Sequence, residues 1–240
     1  MKNFFSKSHN PQKPGRFIVL DGIDGSGKST QLDLLHRELA INGYPVEQIH
    51  FPQHGQSSAA MVDSYLAGDY GQLGPYPSSV LYALDRFDAS FKIRRWLAEG
   101  KVVLCDRYVT ANAAHQGGKI ADRAERLKFF KWLDNLEYGI FGIPKPDLII
   151  ILNVPAEAAV QMLRLRGGDQ KHKDAMHETS LEHLRSSYQT YLEISRLFPN
   201  AKQVNCVEGL ELLSPDQIHN RIWELVRRIG LKDLSLNLKA

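Results

Sequence analysis

The sequence predicts an α/β fold built on a parallel sheet with helices on its faces. Short Val- and Ile-rich runs alternate with amphipathic stretches from residue 16 onward. The runs are almost continuously apolar and bounded by Gly, Pro or Asp, which is how parallel strands covered on both faces read. Alternation of this kind joins strands through right-handed crossovers.

The opening MKNFFSKSHNPQKPG has lysines but no continuous apolar stretch. It reads as a flexible extension over residues 1–15 rather than a signal peptide. Strands are then expected at RFIVLD (16–21), VEQIHF (46–51), KVVLCD (101–106), DLIIILN (147–153) and KQVNCV (202–207). Helical patterns lie between and after them. The first runs from Lys28 to Ile41 and is stopped by Asn42-Gly43, and the second from Ser78 to Glu99, stopped by Gly100. Others span Arg123 to Phe141, Ala156 to Leu165, Ser180 to Phe198, and Pro215 to Ile229 behind a Ser214 cap. No internal repeat or interdomain linker interrupts residues 16–230, and residues 231–240 form a tail.

With 43% hydrophobic and 24% charged residues in 240, the chain matches one ordinary globular domain. A formal charge of +3 suits anionic small molecules and requires neither nucleic acid nor a membrane surface as a partner. No apolar run approaches the roughly 20 residues of a membrane span. Cys105 and Cys206 both sit in apolar runs, which implies buried, reduced thiols and a cytoplasmic protein.

Between the first strand and first helix lies GIDGSGKS, Gly22 to Ser29, which matches GxxxxGK[ST]. Its glycines let backbone N–H groups turn inward, and the following helix N-terminus adds partial positive charge. Lys28 then reaches the β/γ-phosphates, and Ser29 offers a hydroxyl to Mg²⁺. A carboxylate here, Asp24, is unfavourable beside phosphates unless it holds a metal-bound water or a substrate hydroxyl. The chain has no NKxD motif and no DxxG motif downstream of the loop, which argues against a signalling GTPase.

Two further constellations stand out. In VVLCDRYVTANAAH (102–115) a strand ends in Asp106-Arg107, where doubly wound sheets point residues into the ligand crevice. Asp106 is placed to organise metal water and Arg107 to grip phosphate, with Asn112 and His115 three apart beyond them. In SSVLYALDRFDAS (78–90), Tyr82 and Arg86 are four apart. That pair could stack a base and donate to its carbonyl, or be only a core ring beside a surface charge.

Together GIDGSGKST, FPQHGQ, LYALDRF, DRYVTANAAH and PKPD, in this order over about residues 16–230, resemble the thymidylate kinases. The resemblance implies a P-loop nucleoside monophosphate kinase fold, with a five-stranded parallel sheet flanked by helices and a mobile lid. It also implies transfer of a phosphoryl group from ATP to dTMP with Mg²⁺, giving ADP and dTDP for dTTP synthesis, usually by a homodimer. By the same resemblance ATP lies on Gly22, Ile23, Asp24, Gly25, Ser26, Gly27, Lys28, Ser29 and Thr30, and the metal near Ser29, Asp24 and Asp106. The acceptor lies on Asp24, Phe51, Pro52, His54, Tyr82, Arg86, Arg107, Asn112 and His115. Tyr82 replaces the usual Phe. His54 stands where relatives carry Arg or Tyr, and His115 where a Tyr or Phe helps exclude a 2′-hydroxyl.

Some relatives place a catalytic arginine inside the phosphate loop, where this chain has Gly25; others place basic residues on the lid. LRLRGGDQKHKD (163–174), within a lid of about 164–178, offers Arg164, Arg166, Lys171 and Lys173, so the chain resembles the second type. The expected catalytic set is therefore Lys28, Asp24, Arg107, Arg166 and Arg164. A phosphate monoester with a second pKa near 6 needs no protein base at neutral pH. Nucleoside kinases usually carry a glutamate after the second strand, which HFPQHG lacks. A deoxynucleoside kinase, another pyrimidine nucleoside monophosphate kinase and a non-catalytic nucleotide-binding protein are the alternatives.

Overall fold

The computed structural model describes residues 14–166, 174–209 and 211–231. Strand β1 (Arg16–Asp21) is the centre of a five-stranded sheet that also contains β2 (Val46–His50), β3 (Val102–Asp106), β4 (Leu148–Asn153) and β5 (Ala201–Asn205). The order is β2-β3-β1-β4-β5, every pairing is parallel, and Leu20 lies opposite Asp106 in register. The expected sheet is thus present, with each strand end within a residue or two of its place. At the last strand, 202–207 becomes Ala201–Asn205, and Val207 moves into a small hairpin of β6 (Val207–Glu208) and β7 (Glu211–Leu212).

The three inner strands, β3, β1 and β4, are apolar along most of their length because both faces are covered, whereas the edge strands β2 and β5 carry exposed polar residues. Phe17, Ile18, Val19 and Leu20 of β1, and Val102 to Cys105 of β3, are fully buried. Helices α1 (Lys28–Ile41), α2 (Ala60–Ala67), α3 (Pro75–Ala98), α4 (Val109–Gly117), α5 (Arg123–Asp134), α6 (Ala156–Arg166), α7 (Asp174–Leu197) and α8 (Pro215–Val226) accompany them. The Ser214 capping box at α8 is present, with Gln217 N donating to Ser214 Oγ and Ser214 N to Gln217 Oε1.

Several boundaries differ from the periodicity. The helix expected over 123–141 is α-helical only to Asp134 and continues as a π-helical turn, Asn135–Ile140. α3 starts at Pro75 rather than Ser78, since proline is well suited to a helix's first turn. α7 starts at Asp174 rather than Ser180 and α6 runs to Arg166, so these helices reach into the expected lid range 164–178 from both sides. At the N-terminus the expected extension ends early: Gly15 N donates to Leu97 O, and a Cβ at Gly15 would stand 2.0 Å from Lys101 O. Leu231, assigned to the tail, is buried. Residues 1–13 and 232–240 of the expected tails lie outside the described residues.

The order 2-3-1-4-5 sends crossovers away from β1 on both sides, which opens a crevice at the carboxyl ends of β1 and β3. Asp21, the phosphate loop, Asp106 and Arg107 all stand at that edge, with Arg107 N bonded to Leu20 O.

Candidate active site

Asp21 closes β1, and the chain then turns through Gly22, Gly25 and Gly27 at φ of 145°, 81° and 89°. Those values lie in the region that favours glycine. Gly27 caps α1 without any side chain over the first turn, so the N–H groups at its start stay turned toward the loop. Lys28 is 7% exposed, and its Nζ donates to Gly22 O (3.1 Å) and Ile23 O (2.9 Å). Burial, then the nearby Arg107, pushes its pKa down to about 8. Gly25 packs against α6: a Cβ there would meet Ala159 O at 2.4 Å and Leu163 Cγ at 2.8 Å. An arginine in this loop would therefore clash as well as strain the backbone. Ser26 is buried, Ser29 is exposed, and Thr30 is partly exposed in the same first turn.

Arg107 follows β3 with φ 64°, a left-handed conformation uncommon for any residue but glycine. The Cys105 thiol donates to its carbonyl (3.0 Å). Its guanidinium pairs with Asp24 through Nη2 and donates to His115 Nε2 (2.8 Å) through Nη1. Burial opposes charge on Arg107, yet Asp24, Tyr191, Asp21 and Asp106 together outweigh it and raise the pKa. At Asp24 burial is likewise outweighed by Arg107 and Lys28, and the carboxyl stays below its usual range. Burial, then Arg107, holds His115 well below 6.5, so it is neutral. Since Nε2 accepts from Arg107, the His115 proton belongs on Nδ1, facing His183 Nε2 (3.2 Å) and Ser187 Oγ (3.3 Å) on α7. Beneath this group Asp21 accepts from Thr110 and from Tyr191 Oη (3.3 Å), and burial raises its pKa to about 6.

Arg107 and Asp24 share the wall of a cavity of about 800 Å³ with Phe51, Pro52, His54, Tyr82, Arg86, Asn112 and His115. The Phe51-Pro52 peptide is cis. Gln53 N (2.8 Å) and Ser58 Oγ (2.7 Å) donate to the buried Asp85 of α3, which ties down the loop after β2. His54 is exposed and pairs with Asp63. Tyr82 is partly buried, edge-on to Tyr65 at 6.5 Å. Arg86 is 2% exposed, with Nε and Nη2 each 2.6 Å from a Glu137 carboxylate oxygen. Asn112, 4% exposed, donates from Nδ2 to Ser79 O (3.1 Å) and more weakly to Glu137 Oε1 (3.4 Å), while its Oδ1 is buried with no hydrogen-bond partner among the described residues.

Sequence reasoning thus brings together Asp24, Lys28, Arg107 and every expected acceptor residue in one crevice. Arg164 lies apart from this list, exposed on α6. Arg166 ends α6, and its side chain, with Lys171 and Lys173, lies outside the described residues. The reading missed Asp21, Asp85, Glu137 and His183. Asp85 and Glu137 did carry a signal, because each is a charge inside an apolar stripe: Leu81 and Ala89 flank one, and Phe130 and Leu133 precede the other at helical spacing.

Residues 20–218 match the family model for thymidylate kinase. The chain belongs to the thymidylate kinase family. It is a phosphotransferase, and the family reaction converts dTMP to dTDP. A thymidylate kinase of Mycobacterium tuberculosis is 36% identical over 157 residues, covering 64% of this chain and 72% of the relative. A probable thymidylate kinase of Pyrococcus horikoshii is 31% identical over 217 residues, covering 89% of this chain and 96% of the relative. Among solved structures, the thymidylate kinase of Candida albicans superposes with a TM-score of 0.65 over 92% of this chain and 93% of that one. At 24% identity that likeness concerns the fold.

Proposed function

We propose that the residues of this crevice divide the phosphorylation of dTMP by ATP as follows. Arg86 and Asn112 read the base, Tyr82 stacks on it, Arg107 holds the acceptor phosphate, and Lys28 with the loop backbone holds the donor phosphates. The observation that carries this reading is the unpartnered Oδ1 of Asn112 beside the donor-only guanidinium of Arg86, both lining the cavity. One acceptor and one donor match N3–H and O4 of thymine, and they mismatch the N3 and amino group of cytosine. An unpaired buried acceptor costs about 1–3 kcal/mol until a ligand satisfies it.

A phosphate oxygen of dTMP, mostly ionised at pH 7, attacks the γ-phosphorus of ATP, and the bond to the β,γ-bridging oxygen breaks to leave ADP. Lys28 follows the charge on the transferring group, and Arg164 and Arg166 at the lid supply the positive charge that Gly25 cannot. Ser29, Asp24 and Asp106 would hold Mg²⁺, which would supply positive charge to the donor phosphates, and Asp106 fits because its Oδ1 is buried with no partner among the described residues, as an acceptor for metal-bound water would be. Among the described residues no group of three or more His, Cys, Asp or Glu could cage an ion. That agrees with a cation held mostly by phosphate and water.

Exposed Leu84, Phe87 and Phe91 of α3, with Phe87 packed on Phe141 at 5.2 Å, form an apolar strip that a second copy of the chain would cover. We infer a homodimer through it, in a cytoplasm where the buried Cys105 and Cys206 stay reduced. Among the described residues no helix is long and apolar enough to cross a membrane.

The test is ADP formation with ATP-Mg²⁺ and dTMP, dUMP, UMP, dCMP, dGMP or thymidine. dTMP should be the best acceptor and dCMP poor. Thymidine outperforming dTMP would overturn the assignment of Arg107 to an acceptor phosphate.

A further inference from the structure

We propose that Glu137 is a positioning residue that sets the choice between thymine and cytosine. It lies in the π-helical turn Asn135–Ile140, is fully buried, and does not line the cavity. Irregular turns of this kind inside helices often mark functional positions. Here the widened turn delivers a carboxylate into the space between α3 and α4, where an apolar side chain would otherwise continue the stripe of Phe130 and Leu133.

The carboxylate does two things at once. Its two oxygens take Nε and Nη2 of Arg86, both at 2.6 Å, which fixes the guanidinium plane and leaves Nη1 as the donor without a partner in Glu137. Its Oε1 also receives Asn112 Nδ2 at 3.4 Å, alongside Ser79 O at 3.1 Å. Two acceptors facing one end of the Asn112 amide decide its orientation: the NH₂ must point inward and Oδ1 must be the atom left for the ligand. Glu137 therefore imposes the donor–acceptor pattern of the base pocket without touching the base. Burying a carboxylate with a guanidinium gives little net stability, and fixing an orientation is a use that accounts for the pair.

The inference rests on the proposed reading of Arg86 and Asn112 as the base-reading pair. In Glu137→Gln, one of the Arg86 bonds meets an NH₂ group, so the guanidinium is no longer held in its plane, while Asn112 Nδ2 still donates to Ser79 O. A misplaced Arg86 donor loses part of the bond to thymine O4 and part of the rejection of cytosine's amino group. Initial rates with dTMP and with dCMP should then show the ratio of kcat/KM values falling at least about tenfold, mostly through KM for dTMP, with KM for ATP unchanged. A variant damaged only in packing would lose activity with both acceptors alike.

Four outcomes are decisive. Wild-type protein that does not prefer dTMP to dCMP overturns the underlying reading of the pocket. Wild-type preference retained in a folded Glu137→Gln overturns only the role of Glu137. A selective fall in the ratio supports it. Where thermal melting shows that Glu137→Gln does not fold, Glu137→Asp carries the test: it keeps the charge but withdraws the carboxylate by one methylene, so part of the preference must still be lost. A folded Asp variant with the wild-type ratio overturns the proposal.

Discussion

Lys28→Met should make the ligand-free protein no less stable while nearly abolishing turnover. In the folded chain the lysine pKa falls from 10.5 to about 8. At about 1.4 kcal/mol per pH unit, that fall corresponds to about 3 kcal/mol of cost for keeping the ammonium buried at pH 7. Against it stand the hydrogen bonds to Gly22 O and Ile23 O, each worth about 1 kcal/mol net. The balance favours the methionine variant by roughly 1 kcal/mol, or about 2–4 °C in melting temperature for a chain of this size. The sign is checked by pH. Between 8 and 10.5 the unfolded chain keeps the lysine proton and the folded chain has lost it, so wild-type stability rises with pH in that window and the gap to the variant closes. By pH 9.5 the wild type should have gained about 2 kcal/mol on the variant, so the order reverses and the wild type is the more stable by roughly 1 kcal/mol. Urea unfolding at pH 7 and 9.5, without nucleotide, reads the stability difference, and coupled ADP release reads turnover. Turnover should fall by about 10³-fold or more, the scale on which charge stabilisation of a transferring phosphoryl group operates. A ligand-free variant destabilised by more than about 2 kcal/mol at pH 7 would refute the view that Lys28 is held at a cost repaid only by phosphate.

The other expectations test neighbouring parts of the crevice. Tyr82→Ala should weaken dTMP binding by about 1–3 kcal/mol, the range for base–aromatic stacking, with ATP affinity unchanged in isothermal titration. Gly25→Ala places a side chain at φ 81° against Ala159 O, so KM for ATP should rise at least about fivefold and the melting temperature should fall; a neutral variant would contradict the close packing of the loop on α6. His115 and His183 are both held below 6.5 in the folded chain, His115 by burial and Arg107 and His183 by burial and Lys119. Their contribution to stability is complete above pH 6.5 and is lost as pH falls below it, with Asp21, which protonates near 6 in the folded chain, opposing that loss. His115→Phe should flatten the acid limb of a denaturation-versus-pH series by about one proton.

How much of this was legible in the sequence follows from which interactions are local. The phosphate loop and strand ends were, because glycine spacing and apolar runs act over a few residues, and Gly22 to Ser29 specifies its own conformation. The pairing of Tyr82 with Arg86 was legible as a shared helix face, but whether that face was solvent or pocket was not. What holds Arg86 at the pocket is Glu137, 51 positions away. The helical spacing of Phe130 and Leu133 marks Glu137 as a charge in an apolar stripe, a signal the sequence analysis did not use, and its partner could not be named without the approach of α3 to the π-helical turn. His183 left no trace of either kind, since a histidine on a long amphipathic helix is unremarkable until α7 lies against α4. The residues hidden from the sequence are therefore those that act on other side chains. The residues proposed to face substrate, such as Lys28 and Arg107, sit in the phosphate loop and just past β3, where motif and topology announce them, while the groups behind them, Glu137 for Arg86 and His183 for His115, come from helices brought in by the tertiary fold.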